Sequence, residues 1–194
     1  MTSDYFSHGL GATPVMAWQK RTDGSQDWYV NFTVRDGSND YMQLNKTTAL
    51  TDDSTTAPTS TNYYPKSPET GTYVTYLFAE KKGFSKFGIY YGSHANYPFV
   101  YTGFKPAWLM VKGDRADGWQ IMDNKREGYN VISPRLLAND SASEYTNLTN
   151  CDFLSNGFKV RSDDSHMNYA EDYFYIAFAE SPFVNSNGVP NNAR

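Results

Sequence analysis

Few side chains in this sequence are of the types that carry out covalent or acid–base chemistry. The 194 residues include three histidines and a single cysteine. His8, His94 and His166 lie far apart in predicted loops, so they lack the spacing of a zinc site. Cys151 lies beside Asp152 and has no basic neighbour that would lower the pKa of its thiol. We therefore expect exposed loop histidines, a buried or half-buried structural cysteine and no catalytic residue.

Carboxylates offer two further kinds of chemistry. The segments 23–27 and 36–40 each begin and end with Asp around a central Ser, and hard oxygen ligands at that spacing can wrap a calcium ion. An Asp-Gly hairpin turn explains both segments without a metal, so calcium stays open as an alternative. Glycoside hydrolysis needs two acids close together on either side of the bond, and the Glu residues of this sequence form no such pair. We predict no metal site, no cofactor and no enzymatic activity.

Tyrosine is the remaining chemical signal. The chain has 16 Tyr residues, several of them around long loops or strand ends. A Tyr ring can stack on a sugar or anchor a protein interface. The alternative is that one Tyr of each adjacent pair packs in the core while the other covers the edge of a sheet. The candidate binding residues are Tyr63, Tyr64, Tyr90, Tyr91, Tyr97 and Tyr101.

Composition excludes several classes of protein. The formal net charge is −4 and no cluster of Lys and Arg is present, so nucleic-acid binding is not expected. No run of about 18 apolar residues occurs, so no membrane span is predicted. The first residues lack the basic and apolar regions of a signal peptide. A single cysteine rules out an internal disulfide, which fits folding in a reducing cytoplasm.

The elements that position these side chains are predicted to be β-strands. No segment of about 11 or more residues has the apolar spacing of a helix, whereas short runs rich in Tyr, Phe and Val alternate with Asp-Gly and Asn-Gly turns. Many short strands separated by tight turns are typical of an antiparallel sandwich or jelly roll. A long loop is expected over 54–68 and a polar tail over 185–194. Strands are predicted over 15–20, 28–34, 41–45, 73–80, 87–91, 99–101, 107–112, 119–122, 157–161 and 173–179.

The chain also contains an internal repeat. Four landmarks recur in the same order with slowly growing offsets, and similarity of this kind indicates duplication. We therefore predict an internally duplicated all-β protein with an antiparallel β-sandwich or jelly-roll-like fold. Its halves are 1–92 and 93–194, either separate or sharing one core. The aligned landmarks are 14–20 with 106–112 (offset 92), Trp28 with Trp119 (offset 91), 41–45 with 135–139 (offset 94), and Phe-Ala-Glu at 78–80 with Phe-Ala-Glu at 178–180 (offset 100).

Charged residues close two of the repeated strands in each half. Lys20 and Lys112 close one strand, and Glu80 and Glu180 close the other. One hypothesis is that Lys20 pairs with Glu80, and Lys112 with Glu180, across neighbouring strands at a rim. The alternative is that all four side chains point into water, where an ion pair would contribute only about 0–1 kcal/mol.

The order of motifs resembles a family of tandemly repeated β-domains in virion proteins of marine bacteriophages. The matching stretches cover nearly the whole chain, and the phrase FVYTGFKPAW is specific. Those stretches are HGLGATP at 8–14, FAEKKGFSKFGIYYG at 78–92, PFVYTGFKPAWLMVK at 98–112, DNKREGYNV at 123–131, FLSNGFKVRS at 153–162 and IAFAESPFVNSNGVPNNAR at 176–194.

The resemblance implies a non-enzymatic structural protein of the phage particle, assembled in the host cytoplasm, such as a head decoration or a capsid or tail appendage. Such domains often end longer chains, whereas this sequence starts just before its first repeat, so direct docking on the capsid or tail is expected. The expected partners are other virion proteins and further copies of the chain in a homo-oligomer. The alternative function is a lectin-like receptor-binding module of a tail fibre, which recognises host-surface glycans.

Overall fold

A computed structural model describes residues 5–53, 56–65, 70–94 and 96–182. The predicted polar tail lies outside these residues, and so does part of the predicted loop at 54–68. The described residues form fourteen β-strands and no helix. Correspondingly, none of them belongs to a helix long and apolar enough to cross a membrane. The prediction of an all-β protein is confirmed.

Every strand pairing is antiparallel. All ten strands predicted from the sequence are present, with ends that shift by a few residues, and four short strands were not predicted. The strands are β1 Phe6–Ser7, β2 Met16–Arg21, β3 Tyr29–Phe32, β4 Asp40–Gln43, β5 Asn62–Tyr63, β6 Tyr73–Phe78, β7 Ser85–Tyr91, β8 Phe99–Tyr101, β9 Pro106–Gly113, β10 Gln120–Asp123, β11 Leu136–Leu137, β12 Cys151–Leu154, β13 Gly157–Val160 and β14 Asp172–Ala179.

The first of two compact units spans Met1–Glu80. It contains a four-stranded sheet in the order β4-β3-β2-β6 and a two-stranded sheet, β1-β5. Apolar side chains of β2 and β3 are buried: Met16, Val30 and Phe32 are each at most 2% exposed. In the smaller sheet Tyr63 is 1% exposed, so buried side chains come from both sheets.

The second unit spans Lys81–Arg194. It contains a five-stranded sheet in the order β11-β10-β9-β14-β7 and a three-stranded sheet in the order β12-β13-β8. A single apolar cluster joins the two sheets: Val111 and Tyr175 from the larger sheet lie in it with Phe153 and Phe158 from the smaller one. Two sheets that share a core in this way form a β-sandwich.

The predicted repeat is present in the topology of the two units. The order β4-β3-β2-β6 matches β11-β10-β9-β14, and the register matches as well. Met16 lies opposite Phe78 in the first unit, and Trp108 lies opposite Phe178 in the second. These pairs reproduce the sequence offsets of 92 and 100, so the aligned residues occupy equivalent places.

A side-chain hydrogen bond is also repeated. The Asn45 side-chain oxygen accepts a bond from the backbone N–H of Trp28 at 2.9 Å. In the second unit the Asn139 oxygen accepts one from the N–H of Trp119 at 2.8 Å. In each unit the Trp directly precedes the first strand of a hairpin and the Asn follows the second strand. The hydrogen bond therefore closes the open end of the hairpin in both units, and the duplication extends to loop geometry.

The units divide at a different place from the repeat. The sequence alignment divides the chain after residue 92, which assigns 85–91 to the first half. In the structure β7 pairs along its length with β14, so it belongs to the second unit, which begins at Lys81. Hydrogen bonding, rather than sequence similarity, decides where each compact unit begins.

The predicted Lys–Glu pairs are wrong, and the antiparallel register explains why. Lys20 lies opposite Val74, six residues before Glu80, and at about 3.3 Å per residue the two are about 20 Å apart along the strand. Lys112 lies opposite Phe174, six residues before Glu180. Residues that both close neighbouring antiparallel strands lie at opposite ends of the pair.

The two members of the second predicted pair have other partners. Glu180 accepts a hydrogen bond from Asn124 at 2.6 Å and forms an ion pair with Lys105 at 3.0 Å. Lys112 is fully buried. Its ammonium group donates to the carbonyls of Gly113 at 3.2 Å and Arg115 at 2.7 Å, so the strand end and the following turn satisfy the buried charge.

Lys112 should make stability depend on pH. Burial lowers the pKa of its ammonium group to about 8, whereas an unfolded Lys titrates near about 10.4. Between these values the unfolded chain binds more protons than the folded chain, so the contribution of Lys112 to the free energy of unfolding rises with pH. From pH 7.5 to pH 9.5 this rise should be about 1–2 kcal/mol.

The measurement is urea unfolding of the wild type and of Lys112→Met across that pH range. The variant keeps an apolar chain of similar length and loses the titrating group, so the difference between the two proteins isolates Lys112 from the other groups that titrate. A constant difference in unfolding free energy from pH 7.5 to pH 9.5 would contradict the prediction.

Candidate functional site

The six predicted binding tyrosines fall into two groups in the structure. Tyr63 and Tyr90 are 1% and 7% exposed, and the Tyr90 hydroxyl donates to the carbonyl of Met167 at 2.8 Å. These two side chains are therefore part of the core and are not available to a ligand. As the packing alternative predicted, the second member of each pair lies further out: Tyr64 is half-buried and Tyr91 is 60% exposed.

Tyr97 and Tyr101 belong to a group of exposed rings on the second unit. Successive residues of a strand point to opposite faces, and Val100 points into the core at 7% exposure. Phe99 and Tyr101 therefore lie on the outer face of the three-stranded sheet, at 46% and 65% exposure, and Tyr97, two residues before the strand, is 45% exposed. We call these three residues the aromatic strip. The sequence analysis missed Phe99, although its alternation with Tyr97 and Tyr101 was visible.

The aromatic strip has a polar border on one side and a sheet edge on the other. Phe99 lies opposite Lys159 of β13, and Lys159 lies opposite Asp152 of β12. Asp152 forms an ion pair with Arg161 at 3.1 Å. On the other side β8 is the last strand of its sheet. Flat rings beside hydrogen-bonding groups make a surface suited to sugars or to a protein partner.

Two glycines support the strand that carries these rings, for different reasons. A Cβ at Gly157 would lie 2.1 Å from the carbonyl oxygen of Val100 and 3.0 Å from the ring of Phe99, so this close approach requires glycine. Gly103 has φ +81°, a left-handed backbone conformation that favours glycine, and the hydroxyl of Tyr101 lies 3.6 Å from the place of its missing Cβ.

The first unit is an internal control for what the fold requires. At the offset of 92, Phe99 and Tyr101 correspond to Ser7 and Gly9. The register supports the comparison, because Ser7 lies opposite Asn62 just as Phe99 lies opposite Lys159. An equivalent pair of strands, β1 and β5, thus forms without two of the three rings. Exposed rings that this pairing does not need are candidates for a binding surface.

A second cluster in this unit is ionic. His166 contacts two carboxylates, Asp164 through Nδ1 and Asp117 through Nε2 at 3.3 Å. Arg135 contacts Asp164 at 3.2 Å, and Arg115 contacts Glu171 at 3.1 Å. His166 lies in a loop as predicted, but its side chain is only partly exposed, at 36%, because it is held between two acidic side chains of different loops.

The ionic cluster shifts the pKa of its acids in opposite directions. Burial alone would raise the pKa of Asp164, but hydrogen bonds from His166 and the charge of Arg135 hold it well below its usual range. Burial raises the pKa of Glu171, and the opposing charge of Arg115 is too weak to reverse the effect. Within the described ranges no three His, Cys, Asp or Glu side chains are placed to bind a metal ion. The cluster can fix the loops around it.

The remaining predicted residues have structural places. Cys151 is fully buried against Met122, and burial raises the pKa of its thiol, so it is a packing residue as predicted. In the segment 36–40, the Asp36 carboxylate accepts bonds from the backbone and hydroxyl of Ser38 at 2.7 and 2.6 Å.

In the other segment proposed for calcium, both carboxylates contact protein groups. Asp27 accepts from Gln43 at 2.9 Å and forms an ion pair with Lys46 at 2.6 Å. Asp23 forms an ion pair with Arg21 at 2.7 Å and accepts from the backbone of Thr72 at 2.9 Å.

Comparison with known proteins gives one match. Residues 1–182 match a family described as a domain of unknown function (DUF7483). The chain belongs to this family. No curated protein and no solved structure matches the chain. The matched residues include both units and the aromatic strip, so the family domain comprises the whole duplicated fold rather than one copy of it.

Gly157→Ala should destabilise the sheet that carries the aromatic strip. The new methyl group would overlap a backbone oxygen, which cannot move without disturbing the β8–β13 pairing, so a loss of about 2–3 kcal/mol in unfolding free energy is expected. Gly128→Ala is the matched control, because a Cβ there meets no atom within 4 Å. Thermal or urea unfolding measures both; equal stability of the two variants would contradict the proposed close approach.

Proposed function

We propose that this protein is a non-catalytic structural component of a bacteriophage particle that docks on its partner through the aromatic strip. The observation that carries the docking role is the presence of Phe99 and Tyr101 where the equivalent strand of the first unit has Ser7 and Gly9. Rings that are not needed for folding, and that remain 46% and 65% exposed, have binding as their physical explanation. We place the protein in the virion as a head decoration or a capsid or tail appendage.

The sequence resemblance supports the virion part of this proposal. The specific phrase FVYTGFKPAW contains Phe99, Tyr101 and Gly103. The residues that resemble phage virion domains are therefore the same residues that form the exposed rings and the glycine beneath one of them. Aromatic side chains are enriched at the centres of protein interfaces because they bury a large apolar area.

The edge of β8 adds directional contacts to the aromatic strip. The carbonyl of Pro98 accepts from Val160 at 3.0 Å, and the N–H of Thr102 donates to Asn156 at 3.0 Å. Residues 98 and 102 thus point their backbone groups toward β13. Phe99 and Tyr101, at the intervening positions, point theirs to the outer edge, where a neighbouring chain can pair with them.

Glycan recognition is the second candidate function, and one observation favours it. Side chains on one face of a strand are spaced by about 6.6–6.8 Å, so the rings form a flat surface long enough for successive sugar units. The charged side chains of Lys159 and Asp152 beside them supply hydrogen bonds of the kind that orient a sugar. This would make the protein a lectin-like receptor-binding module for host-surface glycans.

Replacing two rings of the aromatic strip should abolish docking without unfolding the protein. Phe99→Ser/Tyr101→Ser brings the strip close to the small side chains of the first unit, and a loss of affinity of at least about tenfold is expected. Tyr129→Ser is the matched control, since Tyr129 is 74% exposed on the same unit and lies outside the strip.

The assay adds each fluorescently labelled protein to gradient-purified particles from a phage whose copy of this gene is deleted. Stoichiometric binding by the wild type and by Tyr129→Ser, but not by the double variant, supports the proposal. Wild-type protein that stays unbound would contradict it. Binding to a glycan array, lost in the same double variant, would support the glycan function instead.

A further inference from the structure

The last strands of the two units are equivalent, but their surroundings differ. β14 lies inside its sheet, between β9 and β7, whereas β6 ends its sheet and pairs only with β2 among the described residues. The difference appears in exposure. Ile176 is 1% exposed, while Tyr76, its equivalent at the offset of 100, is 49% exposed. The position that lies beside β7 in the second unit is therefore exposed in the first unit.

The backbone groups of β6 that face outward can be identified. Val15 donates to the carbonyl of Phe78 at 2.9 Å, and Thr22 donates to that of Thr72 at 2.8 Å. Residues 72 and 78 therefore point toward β2, and so do the residues between them at even positions. Because backbone direction alternates along a strand, Thr75 and Leu77 point their N–H and C=O groups away from β2.

The second unit shows what such an edge binds. There the equivalent residues, Tyr175 and Ala177, lie opposite Gly88 and Lys86 of β7. Hydrogen bonds beyond both ends of the pairing confirm its direction: the N–H of Gly92 donates to Glu171 at 3.0 Å, and that of Ala179 donates to Phe84 at 2.9 Å.

We propose that the outer edge of β6 binds an extended segment of a partner protein, which adds to the sheet antiparallel to β6 as β7 adds to β14. Backbone hydrogen bonds to Thr75 and Leu77 would supply the affinity, as in other cases of strand addition. None of these residues belongs to the aromatic strip, and the inference does not depend on the virion assignment.

The chemistry of the bound segment follows from β7. Phe87 lies opposite Ile176, and Ile89 lies opposite Phe174. The equivalent residues of β6 are Tyr76 and Val74, so the partner segment needs apolar side chains at alternate positions to cover them. The glycine at 88 is a separate requirement of the second unit: a Cβ there would lie 2.8 Å from the hydroxyl of Tyr175. Thr75 replaces that Tyr in β6, so a larger residue fits.

The test uses a fluorescent peptide with the sequence of residues 82–93, KGFSKFGIYYGS, and the full chain. Binding is measured by fluorescence anisotropy. A control peptide carries Phe87→Ser and Ile89→Ser. In the protein, Thr75→Pro removes an outward N–H, and proline is tolerated on an edge strand where that group does not pair. Tyr5→Thr is the control variant: Tyr5 is 58% exposed on the same unit and lies outside β6, so every backbone donor of the strand is kept.

The expected result is binding of the wild-type peptide, weakened at least about tenfold by Thr75→Pro and unchanged by Tyr5→Thr. The doubly substituted peptide should not bind. Hydrogen exchange gives a readout that does not depend on a variant folding: the peptide should slow exchange at the amides of Thr75 and Leu77 in the wild-type chain.

Four results would overturn the proposal. The first is no binding of the peptide, and the second is binding with protection at another strand instead of β6. The third is self-association of the wild-type chain that Thr75→Pro abolishes, since the edge would then bind a second copy rather than a partner protein. Loss of peptide binding in Phe99→Ser/Tyr101→Ser would show that the aromatic strip, not the β6 edge, is the binding surface.

Discussion

Each unit depends on one antiparallel strand pair that joins residues near its beginning to residues at its end. In the first unit β2 pairs with β6 over Met16–Arg21 and Tyr73–Phe78, and in the second β9 pairs with β14 in the equivalent register. The other strands of the larger sheet follow from this pair, because β3 and β10 form hairpin partners of β2 and β9. Since the paired residues are distant in sequence, this contact closes a long loop in each unit and carries the entropic cost of closing it.

Local signals were sufficient to predict much of the fold. Ten strands carry runs of Tyr, Phe and Val bounded by turn residues, and the repeat could be aligned by Trp and Phe-Ala-Glu landmarks because both copies keep them. β1, β5 and β11 are only two residues long, too short for alternation to be recognised. β7 could be found as a strand but not assigned to a unit, because pairing with β14 is a long-range contact that composition does not encode.

The candidate site was only partly predictable, for a related reason. Tyr97 and Tyr101 were identified from residue type, but type alone does not distinguish them from Tyr63 and Tyr90, which the sheet turns inward. The ion-pair hypothesis failed because it also depended on three-dimensional pairing. Lys112 and Glu180 both end strands, but the antiparallel direction of pairing places them at opposite ends of the strand pair. Of the two partners of His166, Asp164 is only two residues away in the same loop, but Asp117 comes from a separate loop, which no spacing rule could have found.

The glycine beneath Phe99 has a consequence for how this surface can change. The Gly157 backbone leaves room for a ring, and the strip side chains leave the sheet on the side away from Val100 and Phe158. Substitutions at 97, 99 and 101 can therefore alter shape and polarity while the interior stays constant. In a duplicated domain of this kind, one copy can preserve the architecture while the exposed side chains of the other copy change, at little risk to the stability of either.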